Sequence, residues 1–137
     1  MNLKIAKCVY GKNCVNKKKR RMKLQELTEH EIQTQVINYL GYNGFYCMRL
    51  NSGKIRSSDK YGKSRMINLA PVGTPDLQAF RKKGDGVQLY FFEIKRPGRK
   101  ATWHQEQKMK ELEEFGARCL VVTSIEDLER QLNLKHL

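Results

Sequence analysis

Between Gly73 and Lys95 two short apolar runs flank Lys82-Lys83-Gly84-Asp85-Gly86, and a β-hairpin is the arrangement that accommodates them. The turn centre falls between Gly84 and Asp85, with strands near 76–81 and 87–95. Antiparallel partners about that centre have residue numbers summing to a constant, which sets Asp76 opposite Glu93. Lys95 follows two residues later, and the two-residue period of a strand keeps it on the face of Glu93. Like charges directly opposite on a sheet repel. The register therefore predicts a compensating group, and a divalent cation with oxygen ligands is the natural candidate.

The rest of the 137 residues supplies one domain around one modest core. Hydrophobic residues make up 39%, and no apolar run approaches the length of a membrane span. The opening Met1-Asn2-Leu3-Lys4 lacks the apolar stretch of a secretory signal. Cys8, Cys14, Cys47 and Cys119 show no paired spacing, so reduced thiols and an intracellular setting are expected: the cytoplasm, or the host cytoplasm for a viral protein. The three histidines and the wide Cys8–Cys14 interval give no zinc pattern.

The net charge of +13 is unevenly spread. Residues 1–23 hold nine Lys or Arg and no acid, leaving 18 basic against 14 acidic groups in the remainder. Residues 1–23 read as a basic, flexible arm, with a possible short strand near Ile5–Tyr10, and 24–137 as the folded domain. Such an arm favours a polyanion with salt-sensitive, sequence-independent affinity; the bland alternative is a solvated tail.

Thr28 with Glu31 forms a capping box for a helix carrying Ile32, Val36, Ile37 and Leu40 at helical spacing, ending at Gly41. A strand follows at 45–50, then a polar loop from Asn51 to about Leu69 containing Lys54, Arg56, Lys60, Lys63 and Arg65. After the hairpin, Thr102 caps a second helix to about Phe115, Cys119–Val122 reads as a buried strand, and Ser124 caps a closing helix with Leu128, Leu132 and Leu134 inward. The order αβββαβ plus a C-terminal helix predicts an α/β fold with a mixed central sheet flanked by helices. Trp103 and Tyr90-Phe91-Phe92 read as core.

The set Thr28-Glu29-His30-Glu31-Ile32-Gln33, Arg49-Leu50-Asn51-Ser52-Gly53, Gly73-Thr74-Pro75-Asp76, Glu93-Ile94-Lys95 and Gln105 resembles the VRR-NUC domain, the virus-type replication–repair nuclease branch of the PD-(D/E)XK superfamily. The match runs over roughly residues 28–130 in the family's order. It implies a restriction-endonuclease-like core and a Mg2+- or Mn2+-dependent nuclease. It also implies a homodimer acting on branched DNA such as four-way junctions, as for small stand-alone phage members.

On that reading Asp76 and Glu93 are metal ligands, joined by the Ile94 main-chain carbonyl, and the cation polarises the phosphate and acidifies water. Lys95 positions or activates the attacking water, or stabilises the pentavalent phosphate. Glu29 is preferred over Glu31 as the helix-borne acid, because it shares a face with Gln33, Val36 and Leu40 and matches the family's leading Glu. Gln105 either faces the site or completes a capping box with Thr102. Asn51, Ser52, Lys54, Arg56, Arg65, Arg96, Arg99 and Lys100 are the expected DNA contacts, Asn51–Gly53 fitting a plain turn nearly as well. The rivals are a nickase or restriction-like nuclease on ordinary duplex, and a non-catalytic nucleic-acid-binding protein.

Overall fold

The computed structural model describes residues 26–134. The basic arm, the possible strand at Ile5–Tyr10, Cys8, Cys14 and His136 lie outside the described residues. Within them the chain forms α1 (Glu29–Tyr42), β1 (Tyr46–Arg49), β2 (Lys54–Ser58), β3 (Ser64–Asn68), β4 (Leu77–Lys83), β5 (Gly86–Ile94), α2 (Trp103–Glu114), β6 (Arg118–Val122) and α3 (Ile125–Leu132). No described helix is long and apolar enough to cross a membrane.

Strands β1, β4, β5 and β6 make a mixed sheet in that spatial order. The first three neighbours pair antiparallel, and β5 pairs parallel with β6 through the α2 crossover. The β4–β5 hairpin is in the expected register, from Leu77 opposite Phe92 to Lys83 opposite Gly86. Gly84, at φ 59, supplies the left-handed conformation that the first central position of so tight a turn demands.

Side-chain alternation divides the sheet into two faces. Tyr90, Phe92 and Ile94 of β5 join Leu77, Ala79 and Val122 in the core, against Ile32, Val36 and Leu40 of α1 and Leu128 of α3. Burying a side chain such as Phe92 stabilises the fold by about 1.5–3 kcal/mol. The opposite face carries Phe91 and Glu93, and α2 covers it, with Gln105 bonded to Glu93 and Cys119 Sγ bonded to the Met109 carbonyl. Among the described residues the fold is thus a mixed α/β arrangement, a mixed central sheet with three helices.

The segment expected to be an irregular loop is instead a second, two-stranded antiparallel sheet, β2–β3. Its turn is organised by Asp59, whose Oδ1 accepts from the Tyr61 and Lys63 N–H groups at 2.9 Å each. Trp103 also departs from expectation: at 66% exposure it lies outside the core, whereas Tyr90, Phe91 and Phe92 are buried.

Candidate active site

Asp76 stands one residue before β4. Extending the register by one pair past Leu77–Phe92 sets it opposite Glu93, and its Oδ2 accepts the Ile94 N–H at 2.8 Å. The approach to Asp76 is held by hydrogen bonds and packing. Thr74 turns back on Pro71 through its N–H and its hydroxyl, Pro75 is buried, and the Asp76 carbonyl accepts from Leu50 N–H. Gly73, at φ 89, lies so close to the start of α2 that a Cβ there would sit 2.5 Å from the His104 carbonyl oxygen. The Gly-Thr-Pro-Asp run therefore docks on the first turn of α2, the turn that carries Gln105.

Glu93 is 1% exposed. Its Oε1 receives Lys95 Nζ at 2.7 Å and Gln105 Nε2 at 2.5 Å. Its Oε2 is buried without a hydrogen-bond partner among the described residues. The two readings of Gln105 turn out to be compatible: Oε1 of the amide accepts the Thr102 N–H at 2.8 Å and closes the capping box, while Nε2 reaches the carboxylate. Only this orientation of the amide gives both neighbours a complementary group.

Burial pushes the Glu93 carboxyl up to about 7. The Lys95 hydrogen bond pulls it down, and the charges of Asp76 and Glu29 push it further up. At Lys95 burial acts to depress the ammonium, but the Glu93 bond and the charges of Glu93, Glu29 and Asp76 outweigh it and hold the pKa above its usual value. Three carboxylates thus share one electrostatic neighbourhood with a single lysine.

An unpaired buried carboxylate oxygen is expensive in free energy unless something positive meets it. Glu93 Oε2 and the second oxygen of the Asp76 carboxylate, Oδ1, make a hard, anionic oxygen donor set, which fits Mg2+ or Mn2+. Among the described residues no group of three or more His, Cys, Asp or Glu side chains forms a cage. Two carboxylates completed by main-chain oxygen, water and substrate phosphate is the usual way such a cation is bound at a phosphoryl site.

The other expected residues lie at four places in the fold. Glu29 is exposed in the first turn of α1 and reaches Glu93 and Lys95 only through its charge. Glu31 is engaged in the cap, its Oε2 accepting from the Thr28 N–H at 2.7 Å and hydroxyl at 2.8 Å. Arg96, Arg99 and Lys100 are exposed just after β5, with Arg99 N–H closing a turn onto the Arg96 carbonyl. Asn51 and Ser52 are exposed at the root of the β2–β3 ribbon, where the Asn51 carbonyl accepts from Ala70 N–H. Lys54, Arg56 and Arg65 belong to the ribbon itself. The sequence reading missed that ribbon. Its one local signal is Asp59-Lys60-Tyr61-Gly62, an aspartate followed three residues on by glycine.

Scans of protein-family models, curated proteins and solved structures found nothing that matches this chain.

Proposed function

We propose that this chain is a divalent-metal-dependent endodeoxyribonuclease of the PD-(D/E)XK class, with a restriction-endonuclease-like core that resembles the VRR-NUC domain. The observation that carries the reading is the state of Glu93: fully buried, opposite Asp76, bonded to Lys95 and Gln105 through one oxygen and left open at the other. A purely structural carboxylate in a sheet would have both oxygens satisfied or face solvent.

Asp76 and Glu93, with the Ile94 carbonyl, would hold Mg2+ or Mn2+, which supplies Lewis acidity toward the phosphate and toward water. Asp76 is held for that task by the Ile94 N–H. Gln105 fixes the rotamer of Glu93 through Oε1 and leaves the buried Oε2 without a hydrogen bond, available as a metal ligand. Lys95, 14% exposed at its side chain, stays cationic and stabilises charge that develops on the scissile phosphate. Glu29 adds negative potential at the rim. Water attacks phosphorus, the bond to the 3′ oxygen breaks, and the products carry a 5′-phosphate and a 3′-hydroxyl.

Branched DNA such as a four-way junction is the favoured substrate, cut by a homodimer because one site cleaves one strand. The free thiols Cys47 and Cys119 suit an intracellular setting. The test incubates the full chain with labelled four-way junction, flap, duplex and single strand, with Mg2+ or Mn2+. Junction cleavage that disappears in Glu93→Ala and in Lys95→Ala is the expected result. Cleavage that persists in both variants removes the site, and cleavage of plain duplex at equal rate moves the substrate to a nickase or restriction-like class. Binding without cleavage leaves a non-catalytic DNA-binding protein.

A further inference from the structure

The β2–β3 ribbon has a shape and a charge that the catalytic reading leaves unused. Its strands pack extensively only on each other, so it projects from the domain beyond the Ser52–Ala70 bridge. A two-stranded hairpin alone in water is marginal, and this one leaves Ile55 49% and Met66 60% exposed. Lys54, Arg56, Lys60, Lys63 and Arg65 face one acid, Asp59, whose Oδ1 is already occupied by two main-chain N–H groups.

The register decides where the cations point. Arg56 pairs with Met66 and Ser57 with Arg65, so the two arginines project from opposite faces. Arg56 confirms its side by donating to Ser64 Oγ at 3.0 and 3.2 Å, a neutral partner that leaves its charge uncompensated. Lys54 shares the face of Arg56, and Lys63 shares the face of Arg65, where both border a concave surface with Ser57 and Asp59. A ribbon lying flat on a polyanion would need cations on one face only. Cations on both faces suit a ribbon flanked by two phosphate strands.

We propose that the β2–β3 ribbon inserts into the major groove of duplex DNA beside the cleavage point, with Arg56 and Lys54 toward one phosphate strand and Arg65 and Lys63 toward the other. The identity of the polyanion rests on the nuclease reading. The dimensions agree: the major groove is about 12 Å wide and admits a two-stranded ribbon, and five residues of strand reach about 17 Å. A second copy of the chain is the less suitable occupant, because it would set five cations against five. Double-stranded RNA is excluded by its narrow major groove.

The experiment measures binding of the full chain to a labelled duplex-armed junction in EDTA, where cleavage is silent. Arg56→Glu and Arg65→Glu are each expected to weaken binding roughly tenfold or more and to lower the slope of log affinity against log salt by about 1. Dimethyl sulfate is expected to find guanine N7 protected and adenine N3 reactive, with protection lost in the double variant and double-stranded RNA competing poorly. Circular dichroism of the variants checks that the core is intact. Loss from only one of the two variants, protection of adenine N3 instead, or equal competition by RNA overturns the insertion. A change from dimer to monomer with unchanged DNA affinity also overturns it, because the ribbon is then a contact between copies. If the wild-type chain cleaves nothing with metal yet shows the ribbon-dependent protection, the nuclease reading fails and the ribbon stands.

Discussion

Gln105 Nε2 donates to Glu93 Oε1 at 2.5 Å while Oε1 of the same amide accepts the Thr102 N–H at 2.8 Å. One side chain therefore caps α2 and orients a buried carboxylate, and a single substitution separates the two tasks. Gln105→Glu keeps an acceptor for the cap but has no donor for Glu93 and adds a like charge. We expect it to retain the helix cap while DNA cleavage falls about 10–100-fold. Gln105→Ala loses both functions, with a further loss of stability of about 0.5–2 kcal/mol. Equal cleavage by Gln105→Glu and wild type would leave the glutamine as a cap alone.

Glu93 also sets an unusual pH dependence. Its carboxyl titrates at about 7 in the folded chain and near 4.5 when unfolded, chiefly because burial disfavours the charge. Between those values the native state holds a proton that the unfolded state has lost, so metal-free stability falls as pH rises from about 4.5 to about 7 and levels off above. Glu31 has the opposite sign, its pKa being lowered by the Thr28 backbone bond, and acts only below that window. Urea denaturation in EDTA across pH 4.5–8 is expected to show the decline in wild type and a flatter profile in Glu93→Gln. A profile of the same slope in both would place the titration elsewhere.

How much of this was legible in the sequence follows from the range of the interactions. The hairpin register was legible because Gly84 and Asp85 set a local centre, and the sum rule carries it to Asp76 and Glu93 without knowledge of the remaining fold. The capping boxes at Thr28 and Thr102 were legible for the same local reason. Gln105 was ambiguous because its second bond joins residues twelve apart, across the packing of α2 on the sheet. The ribbon was hidden by composition: Ile55 and Ile67 are the only aliphatic cross-strand pair in a stretch rich in Lys, Arg and Ser. Without its register, nothing distinguishes the face of Arg56 from that of Arg65. Trp103 looked like core by residue type, but it opens α2 on the solvent side while Met109 points inward.

Gly73 ties the two halves of the site together. With φ at 89 and the His104 carbonyl oxygen 2.5 Å from any Cβ, it admits no side chain without movement of the backbone on one side. Gly73→Ala combines a left-handed backbone penalty with overpacking and is expected to destabilise by roughly 2–4 kcal/mol. The shift would separate Asp76 from Glu93, so cleavage is expected to fall further than the population of folded chain explains. Guanidinium denaturation gives the first quantity, and a single-turnover rate measured where the variant is fully folded gives the second. A variant with wild-type midpoint and rate would mean that the Gly-Thr-Pro-Asp run adjusts independently of α2.

Metal affinity distinguishes ligands from neighbours without any appeal to catalysis. A cation that binds only the folded chain stabilises it by about 2.7 kcal/mol at a hundredfold excess over Kd. Mn2+ is expected to raise the melting temperature of the wild-type chain and to leave Asp76→Asn and Glu93→Gln unmoved, since each loses an anionic oxygen. Lys95→Met should respond at least as strongly as wild type, because removing the ammonium beside Glu93 Oε1 leaves more negative charge for the cation. The same variant is expected to bind DNA normally while cleaving it about 10²–10⁴ times more slowly, because the missing charge acts on the phosphate as it becomes pentavalent. A Lys95→Met protein that no longer responds to Mn2+ would make the lysine a structural support of the carboxylate pair. Asp76→Asn with an undiminished shift would remove Asp76 from the metal site.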